Sequence, residues 1–167
     1  MTEIWNSSKW HAIYWASEFE KENFGVYQIR IVDKDNKPIP IPRIGGTDPD
    51  GVIYIGRSGY RSQKTNRSLA KRISEFERGL HSGEGTYYLL KAYCKFFRTD
   101  PYKDHQLQYR VGRVAGTKEK VYETEIYSLA TYFAQYGELP PCNSKFDRKW
   151  DRFEPALKGV SIYKKPT

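Results

Sequence analysis

Apolar and polar positions alternate along this chain with two periods, and the switches between them mark its elements. Residues Ser8 to Glu22 set Ile13, Ala16 and Glu20 against Trp10, Tyr14 and Ser17 at helical spacing, with Ser8 placed to cap, and predict a helix. Gly25 to Val32 reads as a strand. Its alternation is imperfect, which predicts burial on much of both faces. Residues 33 to 51 are rich in turn formers, and prolines 38, 40 and 42 exclude central-strand pairing, so a long surface loop or edge extension is expected. Val52 to Gly56 forms a second strand, antiparallel to the first across that loop.

Residues 57 to 67 are polar and basic. A helix follows from Ser68 to Arg78, with Leu69, Ile73, Phe76 and Leu80 on one stripe. Gly83 and Gly85 are expected to break the chain before a helix from Thr86 to Phe97, which Pro101 closes. Leu107 to Val114 alternates as a third strand. Lys118 to Tyr136 is the most regular helix. Gly137 stops it, and Pro140-Pro141 prevents its resumption. The basic tail beyond Asn143 has one regular piece, a short strand at Val160 to Tyr163. These elements predict an α/β (α+β) fold: a small, three-stranded, mainly antiparallel sheet flanked by helices, with an N-terminal helix and loop insertions. The 167 residues suit one domain, with 1–24 as a helical extension, 25–143 as the core and 144–167 as the tail.

Composition narrows the partners. The net charge of +8 points to a polyanion such as nucleic acid. The 14 tyrosines allow a cleft both aromatic and polar. Cys94 and Cys142 form no CxxC pair and have no neighbouring histidine. That argues against a disulfide scaffold or structural zinc, and fits a reducing, cytoplasmic setting. The first residues lack a signal-peptide pattern, and no stretch approaches the roughly 20 apolar residues of a membrane span.

One residue breaks the pattern of the long helix. At about 100° per residue, Val121, Tyr122, Ile126, Leu129, Tyr132, Phe133 and Tyr136 share one arc. Glu125 falls inside that arc, and Glu123 falls on the opposite, wet side. A carboxylate on an apolar face needs a partner: a tyrosine, an arginine or a metal ion.

Gly25-Val26-Tyr27 and Tyr54-Ile55-Gly56, each in a strand-like run, resemble the two signature tripeptides of the GIY-YIG nucleases. Ser68-Leu69-Ala70-Lys71-Arg72-Ile73 resembles that family's arginine helix. Glu125 resembles its metal-binding glutamate, and the segment from Gly137 to Asn143 its closing element. The likeness spans Gly25 to about Asn143, five pieces in the family's order. It implies a catalytic core at 25–143 with catalytic residues Tyr27, Tyr54, Arg72, Glu125 and Asn143. Glu125 would hold Mg²⁺ or Mn²⁺, and DNA would be the substrate. The chain departs from the family in four places, one being a stretch from Glu125 to Asn143 longer than in the shortest members. The two signature tyrosines lie 27 positions apart, longer than in compact members. The stretch from Tyr54 to Arg72 is also long. Phe76 stands where many members have a histidine.

The resemblance implies that metal on Glu125 and the guanidinium fork of Arg72 neutralise the scissile phosphate. Either tyrosine could receive the proton of the attacking water. Asn143 would orient Glu125, bond the substrate, or simply follow Pro-Pro as a turn residue. DNA contacts would fall on the basic run Arg57, Arg61, Lys64, Arg67 and Lys71, with more lysines and arginines in the tail. Cutting at palindromic sites would favour a homodimer. Phe76 is the best support for a different reading, a nucleic-acid-binding protein without catalysis. An RNA-directed or structure-specific nuclease would share the chemistry and differ in substrate. No Gly-rich phosphate loop supports a nucleotide-binding reading. Glu125→Ala is expected to abolish metal-dependent DNA cleavage and leave folding and DNA binding nearly intact, while Glu123→Ala changes little. Plasmid cleavage by the two variants checks both; an essential Glu123 beside a dispensable Glu125 would mean the helix is phased wrongly.

Overall fold

Eight consecutive residues, Gly25–Val32, form strand β2, and every one of them is buried. A strand enclosed on both faces cannot show clean alternation, which is why its sequence pattern is imperfect. The computed structural model describes residues 3–6, 8–19, 25–58, 68–78, 82–115 and 117–143. Two short N-terminal elements, α1 (Glu3–Asn6) and β1 (His11–Ala12), precede a 3₁₀ turn at Ile13–Trp15 and α2 (Ala16–Phe19). After β2 come β3 (Ile41–Arg43), β4 (Gly46–Asp48), β5 (Val52–Arg57), α3 (Leu69–Arg78) and α4 (Ser82–Tyr93). A second 3₁₀ turn at Phe96–Arg98, β6 (Gln106–Arg113) and α5 (Lys118–Tyr136) complete the order. The architecture is mixed α/β, with a four-stranded antiparallel sheet in the order β1-β6-β2-β5 and a separate two-stranded sheet, β3-β4.

Two cores flank the sheet. On one face Tyr27, Ile29, Ile31, Ile53 and Tyr109 meet Leu69, Ile73 and Phe76 of α3, with Ile13, Ala16, Tyr87 and Phe97. On the other, Val52 and Ile55 meet Ile126, Leu129, Ala130, Tyr132 and Tyr136, most of them on the apolar arc of α5. Thr117 caps α5 by accepting from the Lys120 N–H at 3.4 Å. Gly137, at φ 73°, ends it and donates to the Phe133 carbonyl at 2.7 Å.

Four expectations are corrected. The sheet has a fourth strand, β1, at its edge. The helix predicted from Ser8 to Glu22 is present only in part: residues 8–10 are irregular, 11–12 pair with β6, and helical structure runs from the 3₁₀ turn at Ile13 through α2 to Phe19, with 20–22 outside the described residues. The physical reason is Trp10. Its ring lies against the guanidinium groups of Arg30 (4.1 Å) and Arg110 (4.5 Å), on the part of the α5 face of the sheet that the helix itself does not cover. Those arginines bond to glutamines directly opposite on the neighbouring strand, Arg30 to Gln108 and Arg110 to Gln28. The segment 33–51 is more than a loop, for it carries β3 and β4. Pro42 is tolerated because a two-stranded sheet has only edges. Gly83 and Gly85 do not break α4, which begins at Ser82, and the helix ends at Tyr93 rather than Phe97.

The β3-β4 hairpin clasps the end of α5. Gly45 N donates to the Tyr136 carbonyl at 2.8 Å, and Arg43 forms a 3.1 Å ion pair with Glu138. Asp48 accepts from the amides of Asp50 and Val52 and from the Tyr132 hydroxyl, each at 2.9 Å. Burial raises its carboxyl pKa, and these donors oppose the shift. No helix among the described residues is long and apolar enough to cross a membrane, and both cysteines are free.

The bulge between β2 and β5 sets Tyr54 opposite Ile29 but Val52 opposite Arg30, leaving Ile53 as the extra residue. Ile53 and Tyr54 thereby both serve the face that carries Tyr27. On that face Tyr27 lies opposite Gly56, and a Cβ at Gly56 would meet the Tyr54 ring at 2.6 Å and the Tyr27 hydroxyl at 2.9 Å. Gly25 is constrained alike, since a Cβ there would strike the Gly112 carbonyl. The glycines of both tripeptides are therefore space for neighbours. Gly56→Ala is expected to lower stability by about 1–3 kcal/mol through overpacking, measured as a lower urea midpoint at unchanged slope.

Candidate active site

Tyr27 comes from the central strand and Tyr54 from its neighbour, and their ring centroids are 5.8 Å apart. Tyr27 is fully buried, whereas Tyr54 is partly exposed. The Tyr27 hydroxyl, enclosed by core residues and Gly56, finds no well-aligned hydrogen-bond partner among the described residues; its polar neighbour is the Tyr54 phenol. Burial raises both phenol pKa values, most strongly that of Tyr27. The charge of Arg72 works against both shifts, and that of Glu125 adds to them.

Arg72 stands on α3, whose first turn is capped by Ser68 accepting from the Lys71 N–H at 3.4 Å. Leu69, Ile73 and Phe76 seat the helix on the sheet, and this brings Arg72 into the site with its side chain 11% exposed. Burial acts against its charge. The two phenols and Glu75 more than offset that, and its pKa is raised. Glu75, one turn on, accepts from Arg72 Nη1 at 3.3 Å. Glu75 is not among the residues the family likeness singles out; the Arg-x-x-Glu spacing that puts both on one helical face is its signal.

Glu125 lies where its helical phase predicted, on the inner face of α5 with its side chain 19% exposed; Glu123 is exposed. Arg57 Nε approaches Glu125 Oε2 at 2.7 Å, and the Arg57 guanidinium lies 4.6 Å from the Tyr122 ring centroid. In the free protein Arg57, expected to touch phosphate, is paired with this carboxylate. Of the other basic residues expected at DNA, Lys71 is exposed on α3. Arg61, Lys64, Arg67 and the tail lie outside the described residues.

Asn143 turns both ends of its amide to the backbone of Ile55. It accepts from Ile55 N at 2.9 Å and donates to Ile55 O at 2.7 Å, and Cys142 N adds a bond to Ile53 O at 2.8 Å. The segment thus satisfies the outer edge of β5, next to Tyr54. These bonds occupy one donor and one acceptor of the Asn143 amide and give it a positioning place beside Tyr54. Phe76 is fully buried, with its ring 5.1 Å from Tyr54 and 5.5 Å from Tyr87. Beyond it the Tyr87 hydroxyl meets His105 Nε2 at 2.7 Å, and burial lowers the His105 pKa. Phe76 therefore closes the back of the site as an apolar wall.

Among the described residues, no three or more His, Cys, Asp or Glu side chains form a group that could hold a metal. Glu125 offers a hard anionic oxygen, the donor Mg²⁺ or Mn²⁺ takes, and a site anchored on that one carboxylate needs phosphate and water oxygens to complete it. A separate cavity of about 270 Å³ between α5 and the sheet, lined by Gln28, Asp48, Arg110 and Tyr132, contains none of the five candidate catalytic residues. No protein-family model, no curated protein and no solved structure matches this chain. Asn143→Ala removes two hydrogen bonds from the β5 edge and is expected to cost about 2 kcal/mol, with Asn143→Asp, which keeps the acceptor for Ile55 N but turns a carboxylate oxygen onto the Ile55 carbonyl, losing at least as much; chemical denaturation of both variants checks this.

Proposed function

We propose that this chain is a metal-dependent endonuclease of the GIY-YIG type that hydrolyses DNA phosphodiester bonds. One observation carries the reading: a buried tyrosine, a partly exposed tyrosine, an arginine and a glutamate from four different elements share one electrostatic neighbourhood. The likeness to the GIY-YIG nucleases assigns a catalytic role to each of the four. The net charge of +8 supplies attraction for a polyanion.

In this reading Arg72 binds the scissile phosphate. Its guanidinium can fork onto two phosphate oxygens while remaining charged. Glu125 is the anchor for Mg²⁺ or Mn²⁺, which when bound supplies Lewis acidity at the phosphate. Tyr54 rather than Tyr27 takes the proton of the attacking water, because of the two residues Tyr54 is the partly exposed one. Tyr27 holds Tyr54 in place from beneath, and Arg72 stabilises the phenolate that Tyr54 must form. Phe76 and Gly56 fix the ring between them, and Asn143 steadies the strand that carries it.

Cleavage of plasmid and oligonucleotide DNA with Mg²⁺ is the test, with EDTA and Glu125→Gln as controls. The expected result is cutting that needs the metal and Glu125. Salt-sensitive DNA binding without cutting would replace this reading with that of a binding protein. A phenol with a raised pKa is mostly protonated at neutral pH, so the reactive phenolate fraction grows as pH rises. The log rate should therefore climb by about one per pH unit through neutral and mildly alkaline solution. Tyr54→Phe should remove most of the activity, while Tyr27→Phe should retain more of it.

A further inference from the structure

Glu125 reaches the site already engaged. Arg57 follows the Tyr54-Ile55-Gly56 run, and its Nε lies 2.7 Å from Glu125 Oε2. Its guanidinium rests on Tyr122, one turn before Glu125 on α5, at 4.6 Å from the ring centroid. The side chains of the pair are 31% and 19% exposed. The contact has two consequences for a cation. The carboxylate oxygen facing the guanidinium is already hydrogen-bonded, and a divalent ion on Glu125 would stand close to a fixed positive charge. Arg57 itself has an alternative acceptor of the same chemistry. A phosphodiester presents paired anionic oxygens that match its fork, and its partial exposure gives it access to one.

We propose that Arg57 is a latch on Glu125, holding the carboxylate in the free protein and releasing it to the metal when a DNA phosphodiester draws the guanidinium away. Metal and DNA then bind as coupled ligands. This rests on the nuclease reading above and deepens it. A site with one carboxylate is incomplete until phosphate oxygens arrive, so a latch that opens on phosphate keeps metal and substrate in step. The coupling is reciprocal: the factor by which DNA tightens metal binding is the factor by which metal tightens DNA binding. Tyr122 is the platform on which the arginine rests.

The experiment is a calorimetric Mn²⁺ titration of wild type, Arg57→Gln, Arg57→Lys and Glu125→Gln, each alone and with a phosphorothioate form of a duplex cut in the cleavage assay. Free wild type should bind Mn²⁺ weakly, and free Arg57→Gln about tenfold more tightly. Arg57→Lys, which keeps the charge without the planar fork, should fall between them, and Glu125→Gln should bind least. DNA should tighten Mn²⁺ binding by a larger factor in wild type than in Arg57→Gln. The latch is overturned if free wild type and Arg57→Gln bind Mn²⁺ alike. It is equally overturned if Arg57→Gln binds more tightly by one constant factor with and without DNA, which marks a fixed charge. These outcomes leave the nuclease reading standing. Absence of Mn²⁺ binding in every protein, with and without DNA, sinks both. The titration of the free proteins needs no substrate, so it decides the latch even where no DNA is cut.

Discussion

Everything in this molecule is arranged around a strand that has no outside. All eight residues of β2 are buried, so each face of the sheet must be covered, and the chain does so with different chemistry on each side. One face receives α3, a 3₁₀ turn and aromatic rings from α4. The other receives α5 over the β5 side and tryptophan over the rest. Because β2 alternates between the faces, its apolar residues Ile29 and Ile31 share one face with Tyr27, while Gln28 and Arg30 fall on the other. Each polar residue therefore needs an internal partner. Gln28 and Arg30 find theirs directly across the β6 ladder. Tyr27 leans on Tyr54, and that unfinished satisfaction is where the candidate site begins.

The site is assembled from stiff parts. The β5 bulge aims Tyr54, Gly56 leaves room for two phenols, and Phe76 and Tyr87 back the ring with an aromatic stack. Asn143 and Cys142 hold the outer edge of β5, which would otherwise be an open strand edge. The β3-β4 hairpin ties the end of α5 to the sheet. The charged groups are the adjustable members. Arg72 with Glu75, and Arg57 with Glu125, are ion pairs at the margin of the core. Each cation could exchange a carboxylate for a phosphate of similar geometry. A rigid aromatic base under exchangeable ion pairs suits chemistry on a charged backbone, where positions must be fixed but charge must be redistributed.

Much of this was legible in the chain. The helical phase of Glu125 against Glu123 follows from backbone geometry alone, since a residue's face on a regular helix depends only on its count along the sequence. The ends of α5 were equally clear, because Thr117 and Gly137 are local caps. The antiparallel pairing of β2 with β5 was readable as well, from two strand-like runs joined by a stretch of turn formers. The break in the predicted N-terminal helix was hidden, because Trp10 is recruited by arginines far away on β2 and β6, and a long-range contact overrides local propensity. The prolines of the 33–51 segment marked it as unfit for a central strand, yet could not show that it forms a clasp on α5.

Sequence by itself determined which residue types could do chemistry here and in what order: two tyrosines on strands, an arginine on a helix, a misplaced glutamate and a closing asparagine. Tertiary structure alone decided which of them meet and what each is free to do. It buried Tyr27 and left Tyr54 in reach of solvent, turned Asn143 to the backbone, and set Arg57 on Glu125. The reason is that helical and strand periods are local and repeat with the chain. Burial, ion-pair partners and strand register depend on groups tens of residues apart being brought together, and no local period encodes that distance.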